Sequence, residues 1–573
     1  MANKTQLIAL LLSGLIGTVQ AGEKEELLKL RNTTTNLIKQ LVKQGVITDQ
    51  AANEMIKQAE VEAVQQVAEA KATASVKDAV PADEVRVAYV PDFVKDEIRQ
   101  QVRTDLREEV VGDVMAKAKN EQWGLPNALP EWTKRFKLSG DMRLRSQSDL
   151  MASDNIQNNI SQPFYFDAMA VNAAGGVTNA GQNALINTTE NEQLFRQRLR
   201  LGLDVDITDG LKAGVRLATG NQRDPVSTNQ TMGNYNQKYE FNVDRAYLQY
   251  QLVDDRKFKW LNLMGGRIKN PWYTGGGEFT GGSELVWDTD LSFEGFAGTY
   301  SYNLQDTDGL AIAGAAPRSL FMTAGAFPLQ ESFRTDDKWL FGGQAGVDWG
   351  FDNQNTLKAA VAYYDYVHVE ANQNRAANGV GTCDLNSFAN TASMPEYIQG
   401  GNTLAPICRE GTQSNPGQYA GMVGLASDYN IINANLSYEM ANFAPHHLRF
   451  SGDYAKNVGY DENGISQLLS GAVVAPETDA WQVRVDYGWP VVERPGHWSV
   501  FAAYKYVERD AVLDAFTDSD FHLGGTNAKG WFIGGNYGLM KNVWLTGRWL
   551  TADVITGPTY GVDVLQLDLN TKF

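Results

Sequence analysis

The sequence predicts an antiparallel β-barrel that spans a lipid bilayer and follows a separate α-helical region. Three observations lead to this prediction: an export signal at the amino end, alternation of apolar and polar side chains over residues 131–573, and the lack of a long apolar stretch after the signal. Only helices and closed barrels satisfy their own backbone hydrogen bonds in lipid. An exported chain without a spanning helix that enters a membrane must therefore form a barrel.

Residues 1–21 have the order of a secretory signal peptide. Lys4 precedes an apolar run, and small residues around Ala21 favour cleavage before Gly22. A short membrane anchor is the alternative, but the run is shorter than the roughly 20 residues that a spanning helix needs. With a barrel behind it, the signal predicts a location in the outer membrane of a Gram-negative bacterium, with outer-membrane lipid as a partner.

Residues 22–130 have the periodicity of helices. Leu27, Leu30 and Leu37 follow a heptad, and the segment after Pro91 is apolar at every fourth residue, starting from Val94. Apolar stripes of this kind need a partner. We therefore predict a periplasmic coiled coil or helical bundle that oligomerises or contacts peptidoglycan. The alternative is a helical arm that folds against its own barrel or is partly disordered.

From residue 131 to Phe573 the period changes to two, which is typical of strands with one apolar and one polar face. Phe195, Leu199 and Leu201, for example, alternate with charged residues. Sixteen segments have this pattern, and bacterial barrels require an even number. Their predicted starts lie near residues 136, 194, 210, 240, 258, 293, 318, 340, 356, 430, 446, 479, 497, 529, 543 and 562.

The ends of these segments also fit a barrel. Short turns alternate with long loops along the chain, and in bacterial barrels the short turns face the periplasm and the long loops face outside. Phe573 ends an amphipathic strand and resembles the signal that barrel assembly machinery recognises. A secreted sandwich, solenoid or propeller is the rival fold, but no internal repeat of fixed period supports it.

Charge and cysteine content exclude several functions. The formal net charge of −18 argues against nucleic acid as a partner. Cys383 and Cys408 lie in one polar segment of an exported chain, so a loop disulfide is the leading interpretation and two free thiols are the alternative. No spacing of residues matches a metal site, a cofactor site or a catalytic motif, so the sequence does not predict an enzyme.

Four segments resemble signature sequences of the bacterial "putative porin" family: Pro91 to Arg99, Gly140 to Arg145, Gly266 to Trp272 and Leu285 to Leu291. The resemblance covers nearly the whole mature chain. It implies an outer-membrane channel for passive diffusion, with a periplasmic helical prefix. It also implies a homo-oligomer, for which a trimer is the expectation. It does not identify a solute.

The alternation places a set of basic side chains on the lumen face of the predicted barrel. These are Arg143, Arg145, Arg196, Arg198, Arg200, Lys212, Arg216 and Arg484. Because rings of Arg and Lys favour anions, the set predicts a weak anion preference for small hydrophilic solutes. The alternative is that these residues merely pair with lumen carboxylates, namely Asp141, Asp204, Asp206, Asp453 and Asp486.

Two further questions stay open from the sequence. The glycine-rich loop from Trp272 to Gly282 either folds inward as a constriction or lies on the surface. The helical prefix also allows a second function, in which the protein tethers the outer membrane to the cell wall and the barrel is only an anchor.

Overall fold

A computed structural model describes residues 131–573, except for 160–163, 277–281, 305–317, 334–335, 352, 377–378, 384–390 and 413–414. The predicted signal peptide, residues 1–21, lies outside the described residues. So does the predicted helical region, residues 22–130, and with it the predicted tether.

Sixteen antiparallel strands form a closed barrel, in which each strand pairs with the strands before and after it in the chain. The last strand pairs with the first, with Asp141 opposite Lys572, and this pairing closes the cylinder. The strands are β1 (Phe136–Met151), β2 (Glu192–Thr208), β3 (Leu211–Ala218), β4 (Asn242–Val253), β5 (Lys259–Lys269), β6 (Ser292–Asn303), β7 (Arg318–Gln330), β8 (Lys338–Gly350), β9 (Thr356–Val367), β10 (Tyr429–Met440), β11 (His447–Asn457), β12 (Asp479–Gly488), β13 (Trp498–Val507), β14 (Ala528–Met540), β15 (Val543–Val554) and β16 (Gly561–Lys572). The predicted barrel and strand number are confirmed, and each predicted start lies within two residues of the observed one.

The two faces of the barrel wall have opposite polarity. On β16, Leu565 and Leu567 are 51% and 56% exposed, whereas Gln566 and Asp568 are 1% and 3% exposed. The outside is therefore apolar and the buried inside is polar, the reverse of a water-soluble barrel. This arrangement fits a wall that contacts lipid on one face and a lumen on the other.

The connections differ in length at the two ends of the barrel. Hereafter the short-turn end is the end with connections such as 209–210 and 541–542, and the long-loop end is the end with loops such as 368–428. Four connections depart from the predicted alternation. Residues 304–317 and 489–497 are longer connections at the short-turn end, and residues 331–337 and 555–560 are brief ones at the long-loop end.

The long loops contain short elements of their own. The helices are α1 (Ala168–Ala174), α2 (Val177–Ala180) and α3 (Glu462–Leu468), and the short strands are Gln230–Thr231, Arg375–Ala376, Gly379–Val380, Leu404–Pro406, Arg409–Thr412, Asn415–Ala420 and Val423–Leu425. Within the described ranges, every helix falls short of the length and apolarity needed to cross a bilayer.

The described parts of two long loops, 270–291 and 508–527, fold into the barrel and form a hydrophobic core there. Trp287 is 1% exposed, and its ring centroid lies 4.9 Å from that of Tyr364 on β9 and 5.0 Å from that of Phe293 on β6. Val512 of the second loop belongs to the same buried cluster. The lumen is therefore partly filled by loops from the long-loop end.

Two glycines shape the wall where the first of these loops begins and ends. Gly266 on β5 lies directly opposite Gly295 on β6, and their φ angles are +110° and +137°. A Cβ atom at Gly266 would collide with the carbonyl oxygen of Ala246, and one at Gly295 with that of Ala326. Both positions therefore require glycine, for backbone conformation and for space.

Gly295→Ala is expected to destabilise the folded barrel by about 1–3 kcal/mol, because alanine strains a positive φ. The measurement is the midpoint temperature at which the detergent-resistant folded band is lost in a gel-shift assay. Gly452→Ala is the control, since an added Cβ there meets no atom within 4 Å. Equal midpoints for the two variants would contradict the requirement for glycine at position 295.

Candidate functional site

Five arginines on β1 and β2 face the lumen side by side. Arg143 lies directly opposite Arg198 across the two strands, and Arg145 lies opposite Arg196. Like charges in such positions repel, so the wall needs nearby carboxylates. Hereafter the arginine wall is the set Arg143, Arg145, Arg196, Arg198 and Arg200.

One of the carboxylates comes from loop 508–527. The Arg145 side chain is fully buried, and its Nη1 donates to Asp520 Oδ1 at 3.0 Å, while its Nε donates to Asp568 Oδ1 of β16 at 2.8 Å. Asp520 also accepts from Arg548 and, at 2.9 Å, from Gln566 Nε2. Three strands of the wall thus hold one loop carboxylate.

A second carboxylate comes from loop 270–291. Asp290 accepts hydrogen bonds from Arg200 Nη1 at 2.9 Å, from Arg198 Nη1 at 3.3 Å and from Thr228 Oγ1 at 2.9 Å. The same two arginines donate to Asp141 of β1, with Arg200 Nε 2.9 Å from Asp141 Oδ2. Asp290 therefore fixes this loop against the wall much as Asp520 fixes the other.

The two inward loops are also joined to each other. The Asp288 amide donates to the Phe516 carbonyl at 2.7 Å, and the Ser519 amide donates back to Asp288 Oδ2 at 3.0 Å. Lys505 of β13 is 1% exposed and donates to Asp518 at 2.6 Å. Hereafter the constriction is the pair of segments 283–291 and 513–520, which together narrow the lumen.

The carboxyl groups of these loops fall into two electrostatic classes. Burial raises the pKa of Glu284 and of Asp288, and neighbouring carboxylates add to the increase. Burial also opposes ionisation of Asp290 and Asp520, but the arginines around them outweigh it and hold both pKa values below the ordinary range. The anchoring carboxylates are therefore ionised, while Glu284 and Asp288 keep their protons to a higher pH.

Cavities lie on both sides of the constriction. The cavity toward the short-turn end has a volume of about 750 Å³ and is lined by arginines such as Arg143 and Arg245 and by carboxylates such as Asp290. The cavity toward the long-loop end has a volume of about 640 Å³, and residues on the other side of the constriction, such as Phe516, line it.

The predicted lumen cations outside the arginine wall all have carboxylate neighbours. Arg216 pairs with Asp244, Lys212 Nζ lies 3.7 Å from Asp206, and Arg484 Nη2 lies 2.7 Å from Asp486. Asp204 and Asp453, which were also expected to pair with lumen cations, accept hydrogen bonds from uncharged side chains instead. Asp204 accepts from the hydroxyl of Tyr247, and Asp453 accepts from the amide of Asn433.

Within the arginine wall, charge pairing is incomplete. Arg143 donates to Asn229 Oδ1 at 2.5 Å, and its carboxylate partner, Asp568, is 3.9 Å away. Among the described residues, Arg196 forms no ion pair, and neither does Arg245 of β4, which donates to Ser292. Of the eight predicted lumen cations, Arg196 alone forms no ion pair within the described part of the chain, and the pair of Arg143 is long. The anion preference inferred from this set stays a prediction.

Several residues of the site were missed from the sequence. Arg245 and Arg548 follow the period-two pattern and could have been found by it. Asp290 and Asp520 carry no such signal, because acidic residues are common in all the long loops. Their role depends on how far each loop reaches into the lumen.

The remaining predicted site residues lie as follows. Trp272 is buried inside the barrel, and the Tyr273 amide donates to Gln344 of β8 at 2.8 Å, so the start of the glycine-rich loop lies on the inner wall. Cys383 and Cys408 form a disulfide. The amide of Phe573 donates to the Gly140 carbonyl at 2.9 Å, at the closing seam, and its role as an assembly signal stays a prediction.

Fold and site together define the class of protein. The chain forms a membrane-spanning barrel with a charged lumen, and inward-folded loops narrow that lumen. This is the architecture of a channel. The chain belongs to the family described as "Putative porin", whose model matches residues 31–573. The resemblance found in the sequence is thereby confirmed. Family and fold point to an outer-membrane channel rather than an enzyme.

The chain also matches solved structures at low sequence identity. The outer membrane channel DcaP of Acinetobacter baumannii is 11% identical, with 76% of this chain and 97% of that chain covered and a TM-score of 0.38. OprB of Pseudomonas putida is 11% identical, with coverages of 77% and 95% and a TM-score of 0.40. A substituted porin of Rhodopseudomonas blastica is 13% identical, with coverages of 76% and 100% and a TM-score of 0.33.

No curated protein sequence matches the chain. Barrels of one architecture serve different solutes, so likeness at this level does not identify what passes through this one. The trimer, the barrel assembly machinery and peptidoglycan likewise stay predictions.

Asp520→Asn is expected to loosen loop 508–527, because it leaves the buried Arg145 and its neighbour Arg548 without a shared counter-charge. Breaking a buried pair from one side costs about 3 kcal/mol. The measurement is hydrogen exchange of the loop amides, which is expected to accelerate, together with a lower gel-shift midpoint temperature. Asp206→Asn is the control, since its partner Lys137 is solvent-exposed. Unchanged exchange in Asp520→Asn would refute the anchoring role.

Proposed function

We propose that the protein is a passive channel for small hydrophilic solutes and ions, with a weak preference for anions. The observation that carries this proposal is the incomplete pairing of the arginine wall. Arg143 and Arg196 keep a positive charge beside the constriction, and Arg245 adds a third in the cavity on the short-turn side. Closely paired arginines contribute little to the field that an ion meets. Arg196 and Arg245, which form no ion pair among the described residues, and Arg143, whose pair with Asp568 is long at 3.9 Å, attract anions.

The geometry of the barrel supports passage through the lumen. Sixteen strands are about the number at which a barrel leaves an aqueous channel rather than a packed interior. The two inward loops occupy part of that space, and cavities of about 750 Å³ and 640 Å³ lie on their two sides. In this proposal the long-loop end faces outside and the short-turn end faces the periplasm.

The raised pKa values of two acids in the constriction support the same preference. Glu284 and Asp288 would favour cations if both were ionised, but burial raises their pKa values. While they are neutral, the fixed charges at this level are the arginines and the carboxylates that anchor the loops. The anion preference is therefore strongest at low pH.

The direct test is single-channel recording of the folded mature protein in planar bilayers under a KCl gradient. Stable conductance steps with a reversal potential on the anion-selective side are expected. Folded protein that gives no conductance would contradict the channel, and a strong cation preference would contradict the arginine wall.

Arg143→Gln is expected to lower the chloride-to-potassium permeability ratio about twofold. One unit charge at about 8 Å in water is worth about 0.5 kcal/mol, which corresponds to that factor. The matched control is the double variant Arg484→Gln with Asp486→Asn, which removes an ion pair and leaves the net charge unchanged. If both variants shift the reversal potential equally, Arg143 has no special role.

The anion preference is expected to fall as the pH rises above the range in which ordinary carboxyls, with pKa near 4, ionise. The sign follows from the raised pKa values of Glu284 and Asp288: these two carboxyls lose their protons at a higher pH than ordinary carboxyls do, and only then add negative charge. Reversal potentials at a series of pH values from about 4 upward measure the effect. Asp288→Asn is expected to flatten the profile, while Asp154→Asn, in loop 152–191, leaves it unchanged. A flat wild-type profile would refute this assignment of charge.

A further inference from the structure

The cavity at the long-loop side of the constriction is chemically unlike the one behind it. Hereafter the outer vestibule is this cavity of about 640 Å³, which lies between the constriction and loop 368–428. Its walls are largely apolar and in part aromatic. They include Leu291, Phe293, Leu329, Leu340, Tyr397 and Phe516.

One wall of the outer vestibule carries a buried cation. Lys338 begins β8, lines the cavity and is 5% exposed. Its Nζ donates to three neutral oxygens: Gln330 Oε1 at 2.7 Å, the Ser393 carbonyl at 2.9 Å and the Met394 carbonyl at 3.0 Å. Among the described residues no carboxylate forms an ion pair with it. Burying a charge without a counter-ion is costly.

The other charged groups of the cavity do not form a direct ion pair with Lys338 within the described part of the chain. Arg267 Nη1 lies 2.7 Å from Glu294 Oε1, so these two form a pair of their own. Arg223 and Glu396 also line the cavity, and Glu396 interacts electrostatically with Lys338 without an ion-pair contact. The balance of the five charged side chains is one positive charge, and Lys338 is the buried one.

We propose that the outer vestibule binds small amphipathic carboxylates, each with a single carboxylate on an aromatic or branched apolar body. The carboxylate takes the place of the Gln330 oxygen on Lys338, because Gln330 is a movable side chain that lines the same cavity. The backbone carbonyls of Ser393 and Met394 keep the ammonium in position. The apolar body packs against Tyr397 and Phe516, where its burial releases water.

This inference rests on the proposed function and extends it, since the vestibule borders the constriction on its long-loop side. A solute bound in the vestibule is concentrated there before it enters the polar constriction. Neutral sugars would leave Lys338 without a counter-ion, and inorganic anions would gain nothing from the apolar walls. Only a molecule with a negatively charged end and an apolar end contacts both Lys338 and the apolar walls of the cavity favourably.

Benzoate is the probe, with benzamide as its neutral analogue and acetate as the carboxylate without an apolar body. Each compound is added at the long-loop side of channels in planar bilayers. Benzoate is expected to reduce the KCl current reversibly. Benzamide and acetate are expected to reduce it far more weakly. Lys338→Met is expected to raise the half-blocking concentration at least tenfold. Lys338→Arg restores block, and Gln330→Ala lowers the half-blocking concentration because it removes the competing oxygen.

Lys358→Met, on the neighbouring strand β9 and outside the vestibule, is the matched control. Saturation-transfer NMR with benzoate and the folded protein in micelles reports the same contact without any current. Equal block of wild type and Lys338→Met, or equal block by benzoate and benzamide, would overturn the inference. A normal KCl current in the same experiment would show that the proposed channel function still stands. Absence of KCl current would instead defeat the proposed function, and the NMR signal would then decide the binding site alone.

Discussion

The ion pairs between the arginine wall and two loop carboxylates determine the interior of this barrel. Arg145 is fully buried and cannot remain without a counter-charge, and Asp520 supplies one from loop 508–527. Arg198 and Arg200 bind Asp290 of loop 270–291 in the same way. Because the positive charges are fixed on adjacent strands, the loops that carry these carboxylates are held inside the lumen.

The consequence for function is a lumen with two distinct compartments. The inward loops present carboxylates to the arginine wall on one side and apolar residues such as Leu291 and Phe516 to the outer vestibule on the other. A solute entering from the long-loop end would first meet an apolar surface with one buried cation, Lys338. It would then pass a polar constriction in which Glu284 and Asp288 titrate above the ordinary range. In the function that we propose, selection by hydrophobicity is thus separated from selection by charge.

The sequence predicts the wall of this barrel far better than its interior. Period-two alternation depends on local chemistry, so it locates all sixteen strands and places Arg143, Arg198 and Arg484 on the lumen face. It cannot show that Asp290 and Asp520 anchor loops, because each contact joins residues distant in the chain: Arg145 lies 375 residues from Asp520. It also cannot identify Lys338 as buried, since that burial depends on residues 393 and 394 of a different loop.

The most direct test of this account is the single-channel conductance of a double variant, Asp290→Asn with Asp520→Asn, compared with wild type in the same KCl solution. If ion pairs hold the two loops in the lumen, their loss releases the constriction, and the variant will show a larger conductance with frequent fluctuations between levels. A folded variant whose conductance and noise equal those of wild type would contradict the account, because the loops would then be held in the lumen by something other than these carboxylates.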